Sequence, residues 1–349
     1  MSTEFDELMS QAYALPNGRA KIALLEEAIR TADVLNLVEE GYAARSEMVE
    51  AGTFGGYPMK ALVAFSWMLG QFDREPEAYD EFDLLWSYKW ILNSISAFPE
   101  ISLKQIDNLL EDMRTRYQEY GYSDRTYYYY KSLVALMCGD ITEAGVYMDK
   151  VLGMERDGMS DCIACEQDQF VEYEQVAGNI DELLRKAEPI VSGRMTCGEI
   201  PHKTLSHLFL PLLERGETER ADKLERKSYR LVKGERDFMI PIARHITYLR
   251  RVHPMKALEV FEKHVAMSID LENPIAKLQF DGASAALLRQ LAEEEQGLRP
   301  VLPASLPYQG DAGNLPGLAL YFAEQAQATA QRLDQRNGNS FYTELLTKL

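Results

Sequence analysis

Four residues of the chain have the types and spacing that bind zinc. Cys162 and Cys165 form a CxxC pair in "SDCIACEQDQF", and Cys197 and His202 follow in "TCGEIPH". The complete pattern is Cys162-x2-Cys165-x31-Cys197-x4-His202. Zinc takes four tetrahedral nitrogen or sulfur ligands, and three Cys with one His is a common structural set. A CxxC pair alone is a weak signal, but the second short spacing strengthens it. We therefore predict a structural zinc site at these four residues.

Two other interpretations of the cysteines stay open at this stage. A CxxC pair at an exposed helix start can form a redox disulfide, which leaves Cys197 and His202 without a role. Thiols also pack in tight helix contacts, as we expect for Cys138 in the apolar run before Gly139. His207 is a possible substitute ligand. The ligand count favours zinc, and four ligands leave no open position for catalysis.

The composition limits the class of protein. The chain has 349 residues, of which 46% are hydrophobic and 26% charged, and its formal net charge is −18. These proportions are ordinary for a folded domain, and the negative charge disfavours nucleic acid and anionic membranes as partners. The N-terminal residues are acidic where a signal peptide is basic, so we expect a cytoplasmic protein.

One segment has the opposite charge. Between Lys223 and Lys256 there are ten Lys or Arg against three Asp or Glu, a formal +7 that leaves −25 for the rest. This region is a candidate contact for an acidic partner. Five cations fall on the helix face opposite Ala221 and Leu224, and they are Lys223, Arg226, Lys227, Arg230 and Lys233. A run of this kind is more often a solvated face, and both interpretations stay open.

The chain also repeats a turn pattern. A small or turn residue is followed, five positions later, by Ala or another apolar residue inside a new amphipathic helix. The turns are at Gly18, Gly56, Pro99, Gly139, Gly178, Gly216 and Val252. Each unit contains two helices, and no convincing alternation of β-branched residues occurs. The pattern predicts an all-α fold of about seven helix pairs.

The unit "LVALMCGDITEAGVYMDKVL" resembles the tetratricopeptide repeat (TPR), with an aromatic-rich first helix, a turn Gly and then an Ala and an aromatic residue. The resemblance covers most of residues 1–270 and implies an α-α superhelix whose first helices line a concave groove. Candidate partner contacts in that groove are Tyr127, Tyr128, Tyr130, Arg244, Arg250 and Arg251.

The chain is also similar to bacterial helical-repeat proteins that carry a DCxxC…CxxxPH signature. The matching residues are Asp161, Cys162, Cys165, Cys197, Pro201 and His202, with Arg336-Asn337-Gly338 near the C-terminus. This resemblance implies no activity. The repeat pattern explains the long ligand gap, because the CxxC pair and His202 begin the first helices of consecutive units, which stack side by side. One zinc ion would then join two units.

We expect three segments: TPR-like repeats over 1–296, a loop rich in Pro and Gly over 297–317, and capping helices over 318–349. No enzyme motif is present, so the leading hypothesis is a non-enzymatic scaffold that binds a protein or peptide in its groove. A peptide- or ligand-responsive bacterial regulator of the TPR sensor type is the alternative. A metal-dependent enzyme is the weakest hypothesis.

Overall fold

The computed structural model describes residues 3–294 and 297–349, and every regular element in these ranges is a helix. The predicted all-α class is therefore confirmed. Across the same ranges, no helix combines the length and the apolarity that a bilayer crossing requires.

The first fifteen α-helices form seven successive pairs. In order, they are α1 (Thr3–Tyr13) with α2 (Arg19–Leu35), α3 (Val38–Gly55) with α4 (Pro58–Phe72), α5 (Glu81–Ile95) with α6 (Leu103–Glu119) and α7 (Arg125–Met137) with α8 (Ile141–Leu152). The others are α9 (Ile163–Ala177) with α10 (Ile180–Val191), α11 (His202–Ser206) and α12 (Phe209–Glu214) with α13 (Thr218–Val232), and α14 (Met239–Val252) with α15 (Pro254–Ser268). The seven predicted turns lie between or at the edges of the paired helices.

Local chemistry explains why the pairs form at these turns. Gly139 has φ of 82°, a left-handed conformation that residues with a side chain rarely adopt. The Asp140 carboxylate then accepts a hydrogen bond from the Glu143 amide at 2.8 Å, which caps the start of α8. A Gly followed by a capping residue therefore ends one helix and begins the next.

The C-terminal part of the chain adds α16 (Pro274–Glu294), α17 (Leu315–Asn337) and α18 (Phe341–Lys348). The backbone is irregular over 297–314, and α17 starts slightly before the predicted end of the loop. Its start is capped by Asn314, whose side chain accepts from the Gly317 amide at 3.1 Å. α17 ends at Asn337, and Gly338 follows it with φ of 72°.

The apolar core is divided between two large clusters of buried side chains. One extends over residues 5–159 and the other over residues 171–322. A small separate cluster is made of three buried apolar residues, Ala164, Ile190 and Ile200. Cys165 and Cys197 pack against this small cluster and not against either large one.

One buried carboxylate makes stability depend on pH. Asp281 lies inside α16, 1% exposed, with the Lys277 Nζ 2.8 Å from its Oδ2. Burial raises the pKa of Asp281 to about 6, and the opposing effect of Lys277 is smaller. Because the pKa of Asp281 in the folded state exceeds its usual value of 3.8, protonation of this carboxyl stabilises the fold. This contribution to the unfolding free energy is complete below pH 4 and is lost as pH rises through 6.

We predict that Asp281→Asn removes this pH dependence. Relative to the parent, the variant should gain about 2 kcal/mol of unfolding free energy between about pH 4 and pH 7.5, as measured by urea unfolding. Asp311→Asn is the control, because Asp311 forms an exposed pair with Arg299. A pH dependence that is the same in Asp281→Asn and in the parent would contradict the assignment.

Candidate metal centre

The CxxC pair begins α9. Cys162 is the N-cap residue, with φ of −63° and ψ of 148°, and its Sγ accepts a hydrogen bond from the Cys165 amide at 3.2 Å. The side chain of Cys165 lies one turn later on the same side of the helix. The two Sγ atoms are 2.9 Å apart. The spacing of the motif therefore places both sulfurs together by local geometry alone.

The third sulfur comes from the loop before α11. The Ile200 carbonyl accepts hydrogen bonds from the Cys197 amide at 3.0 Å and from the Thr196 hydroxyl at 2.8 Å. These bonds close a tight turn that directs Cys197 toward α9. Its Sγ lies 3.4 Å from the Sγ of Cys165. Residues from the fifth and sixth helix pairs thus meet at the sulfurs.

The three thiols satisfy the requirements of a metal site. Their Sγ atoms all lie within 4.8 Å of one another, and no carboxylate or imidazole of the described residues joins this group. Zinc–sulfur bonds of about 2.3 Å in a tetrahedron separate the sulfurs by about 3.8 Å. The sulfurs need to move apart by less than about 1 Å to reach that geometry. The predicted cluster of Cys162, Cys165 and Cys197 is therefore present and can hold a metal ion.

Two of the three thiols, those of Cys162 and Cys165, are weaker acids than an ordinary cysteine. Burial raises the pKa of Cys162, against the opposing effect of its hydrogen bonds with Cys165. Burial also raises the pKa of Cys165 far above its ordinary value, and the neighbouring thiols add to the effect. Since a metal binds the thiolate, ligation must release protons and should strengthen as pH rises.

His202 begins α11 as predicted, but its imidazole is outside the group of three sulfurs. The ring stacks on Phe238 with a centroid distance of 5.3 Å and an interplanar angle of 7°. Its Nδ1 is buried without a hydrogen-bond partner in the part of the chain that the structure describes. His202 therefore has a free nitrogen, and a movement of its ring or of the preceding loop is needed for it to become the fourth ligand.

His207, the substitute candidate, is already engaged. It is 2% exposed, its Nδ1 contacts the Gln175 amide oxygen, and its Nε2 lies 3.2 Å from Arg244. With both ring nitrogens in contact with other residues, His207 has no nitrogen available for a metal. Cys138 is buried far from the cluster, which confirms that it is a packing residue.

A buried ion pair holds the first turn of α9 against α7. Arg125 donates two hydrogen bonds to the Glu166 carboxylate, at 2.7 and 2.9 Å, and a third to the Ser160 hydroxyl at 3.2 Å. Arg125 is 4% exposed and Glu166 is 3% exposed. Arg156 contacts the same carboxylate from the solvent side. Sequence analysis missed this pair, because no local pattern connects residues 41 positions apart.

Lys89 of α5 supports the segment before Cys162. Its Nζ donates to the Met159 carbonyl at 3.2 Å and lies 4.0 Å from the Asp161 carboxylate. Burial lowers the pKa of Lys89 to about 8, although Asp161 has the opposite effect. Lys89, Arg125 and Arg156 therefore pair with the carboxylates of Asp161 and Glu166 and fix the segment on either side of the cysteine pair.

The six predicted partner contacts lie in different surroundings. Tyr127 and Tyr130 are buried in the core, and Tyr128 is half-buried, with its ring stacked on Tyr147. Arg244 donates to the Ser206 hydroxyl at 3.1 Å. The burial of Tyr127 and Tyr130 corrects the expectation that these two side chains contact a partner.

The last two predicted contacts bind the C-terminal residues of the chain. Arg250 donates to the Leu349 carbonyl, and Arg251 donates to the Lys348 carbonyl at 3.3 Å. Tyr342 of α18 is 2% exposed, and its hydroxyl donates to the Met137 carbonyl. The side of α7 and α14 expected to face a partner is therefore contacted by α18 and the residues after it.

No protein-family model matches the chain, and no curated protein matches it significantly. The TPR resemblance accordingly stays a prediction about the arrangement of the helix pairs.

Proposed function

We propose that the protein is a non-enzymatic scaffold of stacked, TPR-like helix pairs that binds a protein or peptide, and that a structural zinc ion joins its fifth and sixth pairs. One observation carries the proposal: the thiols at the start of the fifth pair and the thiol of the loop that leads into the sixth pair lie within 4.8 Å of one another. The three thiols would hold the zinc, with the fourth position open to His202 or water. The ion would supply a coordinate link beside the small apolar cluster of Ala164, Ile190 and Ile200.

The chemistry of the donors supports a structural role. Three thiolates donate much negative charge to zinc and reduce its ability to polarise a substrate. The small cluster of Ala164, Ile190 and Ile200 packs against Cys165 and Cys197 and supports the sulfurs. A metal link is most useful where few apolar side chains are available to pack.

Metal analysis of the purified protein tests the proposal. We expect about one equivalent of zinc per chain in protein prepared without added metal, and much less in Cys165→Ser. Cys138→Ser, which changes a distant buried thiol, is the matched control and should keep the full equivalent. Less than half an equivalent in the parent, together with a Cys162–Cys165 disulfide detected by mass spectrometry, would instead establish a redox pair.

Cobalt substitution tests the fourth ligand. Tetrahedral cobalt(II) bound to thiolates absorbs strongly in the visible region, and the bands depend on the donor set. If His202 is a ligand, His202→Ala should keep cobalt but change these bands. An unchanged spectrum would assign the fourth position to water or another group.

A further inference from the structure

The exposed face of α13 is cationic and has no charge partner. Five exposed basic side chains lie on this face, and none is within 4.0 Å of a carboxylate oxygen of the described residues; they are Lys223, Arg226, Lys227 and Arg230 of α13 and Lys233 directly after it. Only a bond from the Arg230 Nε to the Arg226 carbonyl, 3.1 Å long, involves any of their side chains. In a chain of net charge −18, an unpaired basic face of this size is unusual.

Two of the three acidic residues of the same helix point away from this face, and the third, Glu219, is exposed in the first turn. Glu225 is 7% exposed, and its carboxylate lies 3.0 Å from the Nδ1 of His245. Asp222 accepts a hydrogen bond from the Tyr248 hydroxyl at 2.7 Å. Asp222 and Glu225 are therefore used to attach α13 to α14, and the outer face carries five cations against one exposed carboxylate, Glu219 in the first turn.

The face is also held in a fixed orientation. Its opposite side is buried through Ala221, Leu224, Ser228 and Val232. At the C-terminal end of α13, the Gly234 amide donates to the Nε2 of His264 at 3.3 Å, which places α15 alongside. Lys263, next to His264, is exposed and extends the cationic surface. A partner would meet an ordered array of charges.

We propose that this face, α13 with Lys263, binds a short acidic segment of a partner protein. This inference rests on the scaffold part of the proposed function and moves the binding surface from the groove to the outer side of the sixth pair. Lys223 to Lys233 spans about 15 Å along the helix, the length of about five extended residues. A segment of that size can pair with most of the cations at once.

The rest of the molecule argues against larger polyanions. Outside the Lys223–Lys256 segment the formal charge is −25, and charges act over about 8 Å at physiological ionic strength. A nucleic acid duplex or an anionic membrane extends beyond α13 on both sides and would meet this negative surface. A short acidic peptide avoids that repulsion.

Fluorescence anisotropy with a fluorescein-labelled hexaglutamate peptide tests the inference at about 50 mM NaCl. We expect Arg226→Glu/Arg230→Glu to weaken peptide binding by about tenfold or more. Arg74→Glu/Lys104→Glu is the matched control. Both of its positions are exposed and away from α13, and the change in net charge is the same. This control should stay within about twofold of the parent.

Three results would overturn the inference: equal losses in the two double variants, equal binding of a hexaglutamine peptide, or tighter binding of an oligothymidylate of similar length. Circular dichroism melting of each variant verifies folding. Zinc content measured in the same samples separates the two proposals. Full zinc with no peptide binding rejects only the α13 site, whereas peptide binding without zinc rejects only the metal centre.

Discussion

Replacing Arg125 with Met lowers the unfolding free energy by about 3 kcal/mol, the largest effect that we expect of a single substitution. The change leaves Glu166 with only the half-exposed Arg156 as its cationic partner. Two short hydrogen bonds, at 2.7 and 2.9 Å, and one to Ser160 at 3.2 Å are lost together. A buried carboxylate without its main partner carries most of the cost. Urea unfolding with saturating zinc measures the effect.

Further variants separate the free-energy cost of the unpaired buried charge from the cost of lost packing. Arg185→Met is the control, because Arg185 and Glu182 form an exposed pair whose loss should leave the unfolding free energy almost unchanged. Arg125→Met/Glu166→Leu should recover more than half of the loss, since it removes the unpaired charge. A cost below about 1 kcal/mol for Arg125→Met alone would show that Arg156 can take over the role of Arg125.

Removal of zinc has the second large effect. A ligand at about 1,000 times its dissociation constant stabilises the folded state by about 4 kcal/mol, so chelation should remove about that much from the region of the fifth and sixth pairs. Hydrogen exchange should accelerate at the first turn of α9 and over residues 196–202, which the metal would hold together. Amides near α2 should be unaffected.

The matched variant makes this measurement specific. Cys165→Ser, which lacks a ligand, should exchange rapidly in the same segments with or without chelator. Acceleration by chelator in this variant as large as in the parent would place the bound metal elsewhere. No acceleration in the parent would mean that no metal holds the segments together.

Much of the fold could be predicted because its signals are local. Gly139 followed by Asp140 ends one helix and caps the next, and both steps depend on neighbouring backbone groups. Helical periodicity likewise identified the exposed and buried faces of α13. The start of α17 was placed slightly late, because the capping role of Asn314 is not apparent within a run rich in Pro and Gly.

The candidate site was predictable only in part. The CxxC spacing brings two sulfurs together within one helical turn, and the ligand pattern correctly added Cys197. The repeat pattern also placed His202 beside them, but its imidazole lies outside the group of sulfurs. His202 was harder to place, because the orientation of its ring depends on Phe238, which is distant in sequence. The burial of Tyr127 and Tyr130 also depends on neighbouring helices, since four consecutive tyrosines point in nearly all directions around one helix.

By itself, the sequence determined the helical class, the positions of the paired helices and the cluster of three cysteines. Each of these follows from contacts within a turn or from the repetition of one unit. Only the tertiary structure decided which charges are free. In the folded chain, Glu225 contacts His245 and Asp222 contacts Tyr248, while Arg250 donates to the Leu349 carbonyl. Such pairings depend on which distant residues the folded chain brings within hydrogen-bond distance, and no periodicity in the sequence records that.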